Sequence, residues 1–374
     1  MFRKETFQMR LVRQLAVFAG SVGLVATASA EVWIVDNQAH RPADFRSIQA
    51  ANDSAEVQPG DTLLIHGSST KYGSRKTTLT KRLTLIGPGN HALQSVGIPG
   101  EELAEIGELV LGVKFVPNTK VVESSSRGTV LLGLYLAGTT GEALGQSLDV
   151  SVSDVLVERC NLRGRLQTRQ IIGEPNVPVD PIRNLTILNC LIRGAFLQYG
   201  GGHRIEGSRL NSWEGRFERC FFNHCLIMPG RSHSPAVPVM HFEDCAFENS
   251  IFQAHANATL SEYINCRVAG CVLMPLRASD FSEVPDQEAN FRLSVEQYND
   301  VYVGEGLLPA YLELKAGGPA AGKGINGADP GFASGPRPYV RTGPPIPRIT
   351  ELRVPTVVSQ QSGLPVRISA EVRK

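Results

Sequence analysis

One short phrase, written five times, constrains this chain more than anything else in it. It reads VLVERCNLRG at 155–164, LTILNCLIRG at 185–194, GRFERCFFNHC at 215–225, MHFEDCAFENS at 240–250 and SEYINCRVAGC at 261–271. Each copy centres on a cysteine: Cys160, Cys190, Cys220, Cys245 and Cys266. Three residues before it stand Val157, Ile187, Phe217, Phe242 and Tyr263, and two after it Leu162, Ile192, Phe222, Phe247 and Val268. Leu197, Ile227, Phe252 and Leu273 add an apolar position seven after the last four cysteines. The steps are 30, 30, 25 and 21 residues. Self-similarity at periods of roughly 20–50 residues marks a solenoid.

The local period selects the kind of solenoid. Apolar and polar residues alternate over short stretches rich in Val, Ile, Phe and Leu, which is strand spacing. The odd offset of three before the cysteine breaks the alternation, as a bend between two short strands would. Each phrase therefore reads as one coil of a parallel β-helix, its strands lying on those of its neighbours about 4.8 Å away. Equivalent residues stack, and the expectation is one inward column of cysteines flanked by two apolar columns. GDTLLIHG at 60–67, KRLTLIGPG at 81–89, GELVLGVKF at 107–115 and TVLLGLYL at 129–136 read as earlier coils, with Gly112 and Gly133 near the cysteine position. About nine coils are expected between residues 60 and 275.

Before the coils, Val32–Val35 reads as a strand, and Asp44 as the N-cap of a helix through Ala55 with Phe45, Ile48 and Ala51 on one face. Such a helix suits a cap over the open solenoid end. The first thirty residues carry Arg3, Lys4, Arg10 and Arg13, an apolar run from Leu15 to Ala28 and the small residues Ala28-Ser29-Ala30. That is the pattern of a secretory signal peptide. The expected division is a signal peptide at 1–30, strand and capping helix at 31–59 and parallel β-helix at 60–275. An irregular Gly/Pro-rich region at 276–348 and a C-terminal strand or hairpin tail at 349–374 follow. Export to the periplasm, the cell surface or the medium follows from the leader.

Without residues 1–30 the chain keeps 33 Lys/Arg against 35 Asp/Glu. This balance gives no argument for nucleic acid or an anionic membrane as partner. No further apolar run approaches transmembrane length. Seven cysteines in an exported chain would ordinarily form disulfides. Stacked in register and pointing inward, they instead read as small buried hydrophobes with parallel Cβ vectors, poor geometry for bridging. The five-residue gaps Cys220–Cys225 and Cys266–Cys271 are not zinc spacings, so no metal site is expected.

DFRSIQAANDSAEVQPGDTLLIHGSSTKYG at 44–73, the ladder-bearing coils, and GKGINGADPGFASG at 322–335 together resemble exported bacterial right-handed parallel β-helix proteins of the pectin-lyase-like class. The resemblance implies fold more than activity, since that fold serves lyases, glycosidases, adhesins and proteins without catalysis. The polygalacturonase-type Asn-Thr-Asp, Asp-Asp and Gly-His-Gly motifs are absent, and no Asp cluster suggests a lyase's calcium; calcium belongs here only if the chain is a lyase.

The stacking itself assembles one polar constellation. Positions two and four before the cysteine should face outward, which aligns Arg216, Glu218, His241, Glu243 and Glu262 on one face as candidate acid/base residues. Trp213, Tyr199 and Arg231 are candidate substrate-binding residues on longer segments, and His203 and His224 further polar candidates. The leading reading is an exported β-helix that binds polysaccharide or another cell-surface glycan. The alternatives are a polysaccharide lyase or glycoside hydrolase on an acidic glycan, and a structural surface protein.

Overall fold

The fold comes from a computed structural model. It describes residues 30–73, 76–89, 103–116, 121–138, 145–169, 181–197, 200–212, 215–229, 240–254, 261–276, 284, 289–304, 310–339, 347–353 and 367–372. Almost all regular structure is β, and the strands are mostly parallel. Of the signal peptide expected at 1–30, residues 1–29 lie outside the described residues.

Two large parallel sheets carry the chain. The first has ten strands, from Val32–Val35 through Leu156–Glu158 and Cys220–Asn223 to Arg267–Ala269. The second has fifteen, among them Asn161–Thr168, Leu191–Leu197, Gly215–Glu218, Met240–Glu243 and Val272–Met274. The chain alternates between sheets and returns to the next position of each, the arrangement of a parallel β-solenoid. In the first sheet Leu63, Leu85, Leu131, Val157, Ile187, Ile205, Phe222, Phe247 and Val268 stand in one register column. The second sheet opposes it with Leu162, Ile192, Leu210, Ile227, Phe252 and Leu273, and with Leu197, Phe217, Phe242 and Tyr263. Aromatic rings stack along these columns: Phe222 and Phe247 lie 4.7 Å apart, Phe217 and Phe242 5.1 Å, and Phe242 and Tyr263 5.2 Å.

These columns correct the expected phase. The five cysteines do not form one column but occupy two different turns. Cys160 and Cys190 follow a turn leading from the first sheet into the second, and the same column continues through Ser208, Cys225, Ser250 and Cys271. Their carbonyls accept in sequence from the residue starting the next coil's strand: Leu191, Arg209, Leu226, Ile251, Val272 and Phe291. Cys220, Cys245 and Cys266 belong to the return turn, where Cys220 stands in register with His203. The two turns look alike because both place a left-handed residue before an inward small one. Arg159, Asn189, Gly207, His224, Asn249 and Gly270 have φ between 47° and 56° in the first; Arg219, Asp244 and Asn265 lie at 51–53° in the second. Short polar side chains and glycine reach this backbone region at least cost. Of the two glycines expected to match the cysteine, Gly133 sits one residue earlier, its N–H bonded to the Glu158 carbonyl, whereas Gly112 ends a strand of the second sheet.

All seven cysteines are buried and unbridged, as the stacked-thiol reading requires. Each sulfur in the first turn donates to the carbonyl two residues back, as from Cys190 to Leu188 at 3.2 Å.

The N-terminal helix is not seen over the expected span from Asp44 to Ala55. A six-residue helix, Ile48–Asp53, stands in its place, capped by Ser47, whose hydroxyl accepts from the Ala50 N–H. The Asp44 carboxylate is taken by the Ile34 N–H at 2.7 Å, so it ties the first strand rather than capping the helix. Ile48 and Ala51 are buried in the main core.

The stretch after residue 276 is less irregular than its Gly/Pro content suggests. Leu293, Val301, Leu312, Ala320, Phe332 and Tyr339 form a second core with Leu226, Ile251, Val272 and Met274. Those four lie on the second sheet beside, not within, the inner columns, so this segment covers the outer side of the last coils. Pro347–Arg353 and Arg367–Val372 pair antiparallel, the hairpin expected at the tail.

Candidate functional site

Alternation along Gly215–Glu218, Met240–Glu243 and Ser261–Ile264 sets the site. Phe217, Phe242 and Tyr263 turn inward, so their neighbours turn outward. The register places Arg216 beside His241 and His241 beside Glu262, and Glu218 beside Glu243. The five candidate acid/base residues therefore share one outer face, at the one-strand spacing expected of them.

Their hydrogen bonds and longer ion pairs close on one another. Arg216 Nε donates to Glu218 Oε1 at 3.1 Å and its Nη2 lies 3.7 Å from Glu243 Oε2. Arg219, the left-handed turn residue, donates to the other Glu218 oxygen at 3.1 Å. His241 Nδ1 lies 2.7 Å from Glu262 Oε2 and its Nε2 3.6 Å from Glu243 Oε2. Each carboxylate thus faces a cation or an imidazole.

The outward row extends past the repeats. Asp149, Gln167, Phe196, Arg216, His241 and Glu262 stand in continuous register, one per coil. Phe196 is half-buried, with the Arg165 guanidinium 4.7 Å above its ring. At the row's start Asp149 is 1% exposed and bonded to Arg169 at 3.3 Å. Burial, with the nearby Asp149 charge, pushes the Glu108 carboxyl above its usual range, against the pull of Lys76 and Arg169. Glu108 and Asp149 were missed in the sequence because their coils lack the cysteine phrase that set the register, and Gln167 and Phe196 because they follow Cys160 and Cys190 instead of preceding a cysteine.

Of the remaining candidates, Trp213, Tyr199 and Arg231 lie outside the described residues. His203 and His224 are not surface groups. His203 is 1% exposed, and among the described residues neither ring nitrogen has a hydrogen-bond partner. His224 occupies a left-handed turn position, its Nδ1 2.9 Å from Asn223 Oδ1. Among the described residues no group of three or more His, Cys, Asp or Glu side chains is placed to hold a metal ion.

A second polar feature lies elsewhere on the second sheet. Arg163, Arg193 and Arg209 line a cavity of about 240 Å³ with Asn161 and Leu191. No repeat signal marks it, because its arginines come from three coils at two different offsets.

No family model, no curated protein and no solved structure matches this chain. Among the described residues no helix is long and apolar enough to cross a membrane.

Proposed function

We propose that this chain is an exported right-handed parallel β-helix, of the pectin-lyase-like kind, that holds a polysaccharide or cell-surface glycan along its outer face without cleaving it. The reading rests on the outward row Gln167, Phe196, Arg216, His241 and Glu262, which offers polar groups and one aromatic ring at a repeat of about 4.8 Å. A flat, regularly spaced row suits an extended polymer more than a small molecule, which favours a concave pocket. The right hand is argued from the parallel returns between neighbouring strands, which are right-handed in about 98% of cases.

Binding is favoured over catalysis by the pairing on that face. A general acid or base needs a proton-transfer atom open to the substrate. Here Glu218, Glu243 and Glu262 are engaged by Arg216, Arg219 and His241. Calcium would enter only for a lyase.

The test is retention of the purified mature protein on immobilised neutral and acidic polysaccharides, with the eluate assayed for unsaturated uronate absorbance and new reducing ends. Retention that falls with Phe196→Ala, with no product formed, supports binding. Product formation abolished by Glu218→Gln or Glu243→Gln overturns it in favour of a lyase or hydrolase. Absence of retention on any glycan leaves the structural surface protein as the reading.

A further inference from the structure

Several outward arginines on this molecule are paired with carboxylates, while others, such as Arg46, bond only to backbone carbonyls. Arg127 meets Asp154, Arg169 meets Asp149, Arg204 meets Glu206, Arg216 and Arg219 meet Glu218, and Arg267 meets Glu248. The cavity on the second sheet gathers three that are not so paired. Its three guanidinium groups come from Arg163, Arg193 and Arg209, and among the described residues none of them has a carboxylate in ion-pair contact.

The local geometry concentrates this charge. Leu162 and Ile192 are register partners, so Arg163 and Arg193, the next residue on each strand, project from adjacent strands. The register shifts between Leu162 and Arg165, so Arg163 and Arg193 are not a direct cross-strand pair, but like charges on adjacent strands are still unfavourable unless something offsets them. Glu105, whose charge acts on Arg163, is already held by Lys71 at 3.1 Å. Arg209 comes from the next coil, in register with Leu191. Its Nε is buried and without a partner, and burial lowers its guanidinium pKa even though Tyr302, Tyr339 and Tyr311 act in the other direction. The Tyr302 hydroxyl, buried on the same side, also has no hydrogen-bond partner.

Tyr135 orients one of the three guanidinium groups. Arg163 Nη1 donates to its hydroxyl oxygen at 2.7 Å, which leaves the phenolic hydrogen to point elsewhere. The wall therefore carries guanidinium groups and the Asn161 amide, with no acid among its lining residues, and Tyr135 lies behind Arg163. Forked guanidinium groups are matched to multi-oxygen anions, which they grip through paired N–H···O bonds. A single carboxylate needs one such fork; three guanidinium groups lining one cavity suit an anion with more oxygens and more charge.

We propose that this cavity is a binding site for a tetrahedral oxyanion, the phosphate or sulfate group of an ester or the free ion, held by Arg163, Arg193 and Arg209. The site is separate from the outward row and does not depend on the glycan reading. Its residues lie on the leading half of the second-sheet coils, whereas Arg216, His241 and Glu262 lie on the trailing half.

The experiment titrates the full mature protein with inorganic phosphate and with inorganic sulfate at low ionic strength, reading calorimetric binding and melting temperature. Sodium chloride at matched ionic strength separates specific binding from screening. The expected result is a saturable, one-site signal with either tetrahedral anion and none with chloride. Arg193→Gln, an exposed change that leaves the fold intact, should weaken binding by about tenfold or more, and Arg193→Lys by less than Arg193→Gln, since the charge remains while the fork is lost. A shift that chloride reproduces, or affinity unchanged in an Arg163→Gln/Arg193→Gln double variant, overturns the site. A sulfated and a phosphorylated oligosaccharide then identify the source: tighter binding than the inorganic ion assigns the site to an ester, equal binding to the free ion, and both sustain the pocket. Retention of a neutral glycan should be the same in Arg193→Gln, so loss of this proposal and loss of the glycan reading give different results.

Discussion

The backbone N–H of Cys190 donates to Ser208 Oγ at 3.0 Å, so the cysteine stacks on a serine rather than on the next cysteine of its own repeat phrase. Ser250 receives the Cys225 N–H in the same way at 3.1 Å, and Asn290 receives that of Cys271 at 3.0 Å. The turn thus requires a small side chain that accepts a hydrogen bond from the coil before it, and cysteine is one way of meeting that requirement.

Ser208→Ala should therefore destabilise the protein by about 1–3 kcal/mol, the cost of leaving a buried N–H unpaired. Ser208→Cys should cost less, because the column already accepts cysteine at 190 and 225. Urea denaturation midpoints at constant slope measure both. Equal midpoints for the two variants would remove the hydrogen bond as the reason for the column.

Thiol reactivity gives a second check. Burial pushes the Cys225 and Cys271 thiols up to about 12, so at neutral pH almost none of either is the reactive thiolate. Labelling in denaturant without reductant should find all seven cysteines free, and labelling of the native protein should find few. Reductant should leave the melting temperature unchanged; a drop would reveal a bridge.

Phe242 is the centre of the aromatic core, stacked between Phe217 and Tyr263 and edge-on to Phe222 and Phe247. Phe242→Ala should cost about 3–5 kcal/mol. Phe242→Asp should prevent folding, since it buries an unpaired charge in the stack. Thermal melting followed by near-ultraviolet circular dichroism reads the loss, with the exposed Glu262→Gln as a control.

Acid should weaken the fold through His203. Burial lowers its pKa from 6.5 to about 4. Between those values the unfolded chain binds a proton that the folded chain refuses, so stability falls as pH drops through that window. The loss is absent above about pH 6.5 and reaches about 3 kcal/mol by pH 4. His203→Leu, which removes two unpartnered ring nitrogens, should flatten stability between pH 4 and 6.5 and raise it overall. A variant with the native pH profile would place the titration elsewhere.

Much of the fold was readable because strand alternation and repetition are local. Phe217, Phe222, Phe242 and Phe247 announce inward positions by spacing alone, and the outer neighbours Arg216, Glu218, His241 and Glu243 follow from them. The phase between coils was not readable. Both turns place a left-handed residue just before the inward cysteine, as Asn189 precedes Cys190 and Asp244 precedes Cys245, so local sequence cannot say which of the two turns a phrase occupies. That ambiguity merged the Cys190 and Cys220 turns and hid the short coil through Ile205. The arginine cavity was unreadable for a related reason: Arg163 and Arg193 share an offset, but Arg209 joins them only through a coil without the phrase.

The two columns of left-handed turn residues act as fixed punctuation for text of variable length. From Leu85 to Leu131 the chain spends 46 residues on a circuit, and from Ile205 to Phe222 only 17, yet both pairs are register neighbours or stand one strand apart along the same column. Whatever lies between punctuation marks can be lengthened, trimmed or exchanged without moving the rungs on either side. A molecule built this way can acquire new surface chemistry one circuit at a time, while the column of small side chains behind Cys190 and Ser208 keeps its place.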